Sequence, residues 1–178
     1  MILVTVGTNG APFDRLLRLV DALDTAEPLV VQRGSSRLAP RRASCIDFAP
    51  FPELAELVAS ARAVVSHAGV GSVLLALHAG HRPILVPRLR RFREAVDDHQ
   101  LELALRLHDE GLAHVAQTEA ELRDAVEIAR RPNGRESPFA ASPALAEELR
   151  LRLVEACGTG RRRERDSTRL KVRETLLR

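Results

Sequence analysis

Short runs of β-branched and aliphatic residues alternate with helically spaced segments along most of this chain, and that alternation restricts the fold more than any other feature. Ile2–Val6 reads as a buried strand; the Gly7-Thr8-Asn9-Gly10 turn follows. In Phe13–Leu23 the apolar residues Phe13, Leu16, Leu17 and Val20 then share one helical face. The pattern continues with predicted strands at Leu29–Gln32 and Cys45–Phe48, a helix at Pro52–Ala61 and a strand at Val64–Ser66. A helix over Val73–Ala79 is stopped by Gly80, as a C′ glycine would stop it. Pro83–Pro87 predicts a strand, Asp98–Glu110 a helix halted by Gly111, and Ala113–Ala116 a last strand. Thr118 and Glu121 form a capping-box pattern that opens a helix over Glu119–Arg130. Such alternation predicts an α/β, Rossmann-like open parallel sheet with helices on both faces. Ligands of such sheets bind at the carboxyl ends of the strands.

A chain of 178 residues suffices for one good core but not for two ordinary domains. Residues 1–157 are expected to form the domain, with Pro143–Ala156 as its final helix and 131–134 as a loop. Residues 158–178 are expected to be a flexible basic tail. That tail carries eight basic and three acidic side chains, or +5 of a net +3, so the first 157 residues sit at −2. The basic character therefore belongs to the tail and does not describe a basic binding face. Trp and Tyr are absent, which leaves no aromatic platform for nucleic acid, and no nucleic-acid partner is expected. The tail suits anionic lipid headgroups or an acidic partner surface better. No apolar run approaches the length of a bilayer span, and Met1 leads straight into the first strand. A cytoplasmic protein is the expectation. Cys45 and Cys157 are expected to be free thiols.

Three clusters carry chemistry, each with a plain structural alternative. Gly7-Thr8-Asn9-Gly10 is a phosphate-facing turn or simply a tight turn; its G-x-x-G spacing does not meet the dinucleotide fingerprint. Ser66-His67-Ala68-Gly69-Val70-Gly71-Ser72 joins a strand to a helix. There Gly69 and Gly71 would let backbone approach an anion, and Ser72 would cap the helix and offer a hydroxyl. The alternative is an ordinary strand–helix turn in which His67 is a hydrogen-bonded structural residue. Glu94 through Gln100 offers carboxylates and an amide suited to vicinal hydroxyls, or else a charged loop leading into a helix N-cap. The adjoining run from Arg88 to Arg93 reads equally as a solvated loop or as a contact for phosphate or a partner.

The ordered strings SHAGVGS, AGHRPILVPR and EAVDDHQLELA resemble the C-terminal, donor-binding domain of family 28 GT-B glycosyltransferases. The opening VTVGT, Gln32-Arg33-Gly34 and the Phe51-Pro52-x-Leu54 step fit the same pattern, over about residues 1–130. Larger members carry an N-terminal acceptor domain, which is not expected here. The chain is instead similar to stand-alone subunits of two-part transferases in dolichol-linked and bacterial exopolysaccharide synthesis. Those subunits supply the UDP-sugar site, while a membrane-anchored protein supplies the acceptor side.

The resemblance implies that Gly7 and Thr8 face the diphosphate and that Gly69, Gly71 and Ser72 hold it from the helix N-terminus. It implies that Glu94, Asp98, His99 and Gln100 face the sugar. His67 is the candidate catalytic base. Neither a metal nor a cofactor is expected. Two positions depart from relatives: Leu75 stands where many carry an acid for ribose hydroxyls, and Ala104 where larger members often carry Asn. The expected function is the donor-binding subunit of a heteromeric UDP-sugar glycosyltransferase, inverting, with a lipid-linked or polysaccharide acceptor. It would sit at the inner membrane face through its partner, with self-association left open. A non-catalytic nucleotide-sugar-binding module is the alternative; an epimerase would need a second domain to close the cleft.

Overall fold

A computed structural model describes residues 1–129. The helix expected over 143–156, the loop at 131–134, Cys157 and the basic tail lie outside the described residues. In chain order the elements are β1 (Ile2–Thr5), α1 (Asp14–Asp21), β2 (Leu29–Gln32), β3 (Ala43–Ile46), α2 (Phe51–Ser60) and β4 (Ala63–Ser66). They continue with α3 (Val70–His78), β5 (Ile84–Leu85), a 3-10 turn (Arg90–Phe92), α4 (His99–Asp109), β6 (His114–Val115) and α5 (Glu119–Ile128).

The six strands form one sheet in the order β3-β2-β1-β4-β5-β6, and every adjacent pair is parallel. This is the open α/β architecture that the sequence predicts. The chain starts at the centre with β1, moves outward to β3, and returns on the other side of β1 at β4. Thr5 pairs with Ser66 in that central register. The crevice beyond these two residues is the switch point at which ligands of open α/β sheets bind.

Strand alternation divides the core in two. Ile2, Val4 and Val6 face one layer with Phe13, Leu16, Leu17 and Val20 of the α1 region and Leu122, Ala125 and Val126 of α5. Leu3 and Val64 face the other, against Val58 of α2 and Ala76 of α3. With few aromatics, the core is built from aliphatic side chains, each worth about 1.5–3 kcal/mol on full burial.

Glycines end the helices where the sequence places them. Gly80 has φ +81 and Gly111 φ +72. After α3, Gly80 N–H donates to Leu77 and His81 N–H to Ala76; after α4, Gly111 N–H donates to His108 and Leu112 N–H to Leu107. Both are left-handed caps of the Schellman kind. The Thr118/Glu121 capping box is present at α5. Two expectations need correction. β3 begins two residues before Cys45 and ends at Ile46, which leaves Phe48 outside the sheet. α3 begins at Val70, so Gly71 and Ser72 lie inside its first turn and Ser72 is not the cap. Gly69 takes the N-cap position with extended backbone, a conformation that a small residue allows beside the crowded His67 ring.

Candidate functional site

A cleft of about 270 Å³ opens at the switch point. Its lining includes Gly7 and Thr8 after β1, His67 after β4, and Gly69, Gly71 and Ser72 at the start of α3. Six of the predicted site residues are thus brought together.

The β1 turn is held by a buried polar network that sequence reading missed. Thr5 Oγ1 donates to Gln32 Oε1 at 2.6 Å. Gly7 N–H donates to Thr5 Oγ1 at 3.2 Å, and Gln32 Nε2 donates to the carbonyls of Gly7 (3.2 Å) and Asp47 (3.1 Å). Both backbone groups of Gly7 are therefore engaged, in a φ of +76 that disfavours a side chain. Gly7 lines the cleft, but its N–H is already taken and the space where its side chain would stand is filled by the His67 ring. A buried Thr facing a buried Gln on the neighbouring strand was the available signal.

His67 stands between the two glycine turns. A Cβ built on either Gly7 or Gly69 would overlap its imidazole, so the ring occupies the space that both glycines leave. Its Nδ1 is buried and has no hydrogen-bond partner among the described residues. Burial lowers its pKa to about 4, with the Arg88 guanidinium adding to the shift and the Thr5 backbone opposing it. The imidazole is neutral at pH 7, and a base this weak sits well below the range suited to deprotonating a hydroxyl.

α3 has no side-chain cap. The N–H groups of its first turn, on Val70, Gly71 and Ser72, are by helix geometry left to water or a ligand, at the positive end of the helix dipole. Nothing stands within 4 Å of a Cβ built on Gly71. The apolar part of the cleft wall includes Leu54, Leu75, Phe48 (63% exposed) and Phe51 (70% exposed). Exposed aromatic rings at a cleft offer a flat surface for a heterocycle. Leu75 lies within that wall.

The remaining four predicted residues are on the segment after β5 and do not line the cleft. The resemblance implies that Glu94 faces the sugar, but here its carboxylate is buried and committed: it pairs with Arg15 at 2.9 Å and accepts from Leu89 N–H at 3.1 Å. Asp98 is exposed and accepts from Arg90 N–H at 2.9 Å. His99 Nδ1 meets Asp97 at 2.8 Å, both on the surface. Gln100 accepts from Arg88 N–H at 3.1 Å through its Oε1. The reading of Arg88 as part of a solvated or phosphate-contacting loop is corrected, because this residue is fully buried. Among the described residues no cluster of His, Cys, Asp and Glu forms a metal-binding group. None of the described helices is long and apolar enough to cross a membrane.

Residues 1–154 match the profile of the glycosyltransferase family 28 C-terminal domain. Over 123 residues the chain is 34% identical to the human UDP-N-acetylglucosamine transferase subunit ALG13, covering 62% of this chain and 10% of that protein. It is 31% identical over 119 residues to the subunit of the same name from Yarrowia lipolytica, covering 58% of each. This chain thus spans a tenth of one relative's length and little more than half of the other's. Among solved structures, the calicheamicin glycosyltransferase CalG4 superposes with a TM-score of 0.53 at 25% identity, over 84% of this chain and 37% of that enzyme.

Proposed function

This chain belongs to glycosyltransferase family 28 as a C-terminal-type domain, and from that premise we propose that it is the donor-binding subunit of a UDP-sugar glycosyltransferase. The uncapped first turn of α3 carries the reading: at a switch-point cleft it presents backbone donors and a helix dipole to an anion. A diphosphate fits this position, with Ser72 adding a hydroxyl. The uracil ring would rest on the Phe48 and Phe51 wall. The sugar would extend toward Gln100, Asp98 and His99 on the α4 side. Glu94 would support that side through Arg15 without touching sugar.

The chemistry asked of this half is stabilisation of the UDP leaving group. Fixed amides in a partly dry cleft do this effectively, because they need no reorganisation as charge develops on the β-phosphate. The attacking hydroxyl needs a base. His67 is too weak a base by its burial, so we assign deprotonation to an acceptor-binding partner that closes the cleft from the other side. In the names of its relatives, both ALG13 proteins are subunits, which supports a heteromer. N-acetylglucosamine is the transferred sugar those names favour, and a lipid-linked acceptor would place the complex at a membrane surface.

Calorimetric titration of the full chain with UDP and UDP-N-acetylglucosamine tests this. Binding of both, weakened several-fold by Ser72→Ala, is expected. Absence of any UDP binding would overturn it. Robust sugar transfer by the purified chain alone would overturn the partner requirement. Leu75 in the cleft wall favours a second reading, a nucleotide-sugar-binding module without catalysis. That reading predicts binding with no transfer even when the acceptor-side partner is added.

A further inference from the structure

Arg88 is the largest of the fully buried side chains, at 0% exposure, where the chain leaves β5. A buried guanidinium must find acceptors for its donors. The two terminal nitrogens of this one find backbone carbonyls, while its Nε has no hydrogen-bond partner among the described residues. Its Nη1 donates to Ala11 (2.9 Å), Pro12 (3.3 Å) and Glu94 (3.4 Å), and its Nη2 donates to Val6 at 3.0 Å. The guanidinium carbon lies 4.5 Å from the centre of the Phe13 ring. The Arg88 N–H in turn donates to Gln100 Oε1 at 3.1 Å.

These partners fall on two segments that are far apart in sequence. Val6, Ala11 and Pro12 bracket the Gly7 turn after β1. Glu94 and Gln100 belong to the stretch that leads into α4. An ion pair would satisfy the cation with one carboxylate and leave both backbones free. Donation to four carbonyls instead fixes the position of one segment against the other. It also sets the Gln100 amide: with Oε1 occupied, the end left for a ligand is the Nε2 donor.

We propose that Arg88 is a positioning residue, a clamp that sets the Val6–Pro12 turn against the Glu94–Gln100 segment so that one bound donor engages both. The proposal rests on the donor-site reading above for the identity of the ligand. The clamp itself is a property of the ligand-free chain.

Arg88→Lys keeps the charge but cannot span both segments, and Arg88→Gln removes the charge. In the full chain each is expected to weaken UDP-N-acetylglucosamine binding by roughly tenfold or more, and UDP binding less, since UDP does not need the Gln100 side. Without ligand, amide hydrogen exchange should accelerate in residues 6–12 and 94–100 together. The larger loss for UDP-N-acetylglucosamine than for UDP is the readout that a purely structural role would not produce. Folded variants with wild-type affinity for UDP-N-acetylglucosamine, or faster exchange confined to one segment, would overturn the clamp. Should neither variant fold, wild-type exchange decides: UDP-N-acetylglucosamine must slow both segments, and protection of only one refutes the proposal. A wild type that binds no UDP refutes the donor-site reading, and the ligand-free exchange comparison then decides the clamp alone.

Discussion

The His67 imidazole fills the space that a Cβ on Gly69 would need, two residues further along the same chain. The His-x-Gly order is therefore a packing requirement. Gly69→Ala should destabilise the fold by about 1–3 kcal/mol, and the cost should largely vanish in a His67→Ala background. Urea unfolding of the two single variants and the double variant measures the coupling; additive costs would show that the ring does not require the glycine.

Gly71 differs from its neighbour, because a side chain there meets open space. Gly71→Ala should raise stability by about 0.5–1 kcal/mol through helix propensity. It should also weaken UDP binding, since the added methyl occupies the approach to the first-turn amides. Thermal shift and calorimetry on one sample would read both, and unchanged affinity would move the diphosphate away from α3.

The lowered pKa of His67, about 4 against an ordinary 6.5, means that the fold holds fewer protons than the unfolded chain between those values. Its contribution is fully present above pH 6.5 and is lost as pH falls toward 4, a difference on the order of 3 kcal/mol. His81, also lowered by burial, acts in the same direction. Comparing His67→Gln with the wild type isolates the effect: the variant should lose less stability between pH 7 and 5.

A diphosphate placed beside His67 would favour its charged form. UDP-N-acetylglucosamine binding should then take up a fraction of a proton near pH 5.5 and strengthen as pH falls from 7. Calorimetry in buffers of different ionisation enthalpy counts that proton. Equal heats in all buffers, or uptake that persists in His67→Gln, would place the phosphates elsewhere.

Glu94 pairs with Arg15 with both side chains largely buried, at 7% and 17% exposure respectively. Glu94→Gln leaves Arg15 without its charge partner and should cost about 3–5 kcal/mol. UDP affinity at a temperature where the variant is folded should change little. A variant of wild-type stability that loses only the sugar-dependent part of binding would return Glu94 to the sugar.

The architecture was legible because the central strands are short aliphatic runs, α3 and α4 end in glycines and α5 starts at a capping box. Boundaries moved where the local signal was ambiguous. Ser72 has the chemistry of a cap, but the helix begins at Val70, and Gly69 takes the cap position. The glycine end of the cleft was legible for the same reason: Gly7, Gly69 and Gly71 stand out in the sequence, and all three line it. The buried partners of that backbone were not. Thr5 and Gln32 look like ordinary strand residues until the parallel register sets them side by side. Arg88 looked like any of the four arginines in its run (88, 90, 91 and 93) because nothing local says which one turns inward. Glu94 looked like a sugar ligand because its partner Arg15 lies 79 positions away.

The tethering of Gly7 has a kinetic consequence. With its amide held by Thr5 and its carbonyl by Gln32, the turn is fixed in one shape without any ligand. Little loop entropy is then lost on association, and encounter needs no slow rearrangement on this side. Changes around Gly7 should therefore leave the on-rate for UDP nearly constant and appear in the dissociation rate. Under the proposed heteromer, slow steps of transfer would then arise where the partner's half of the site is assembled.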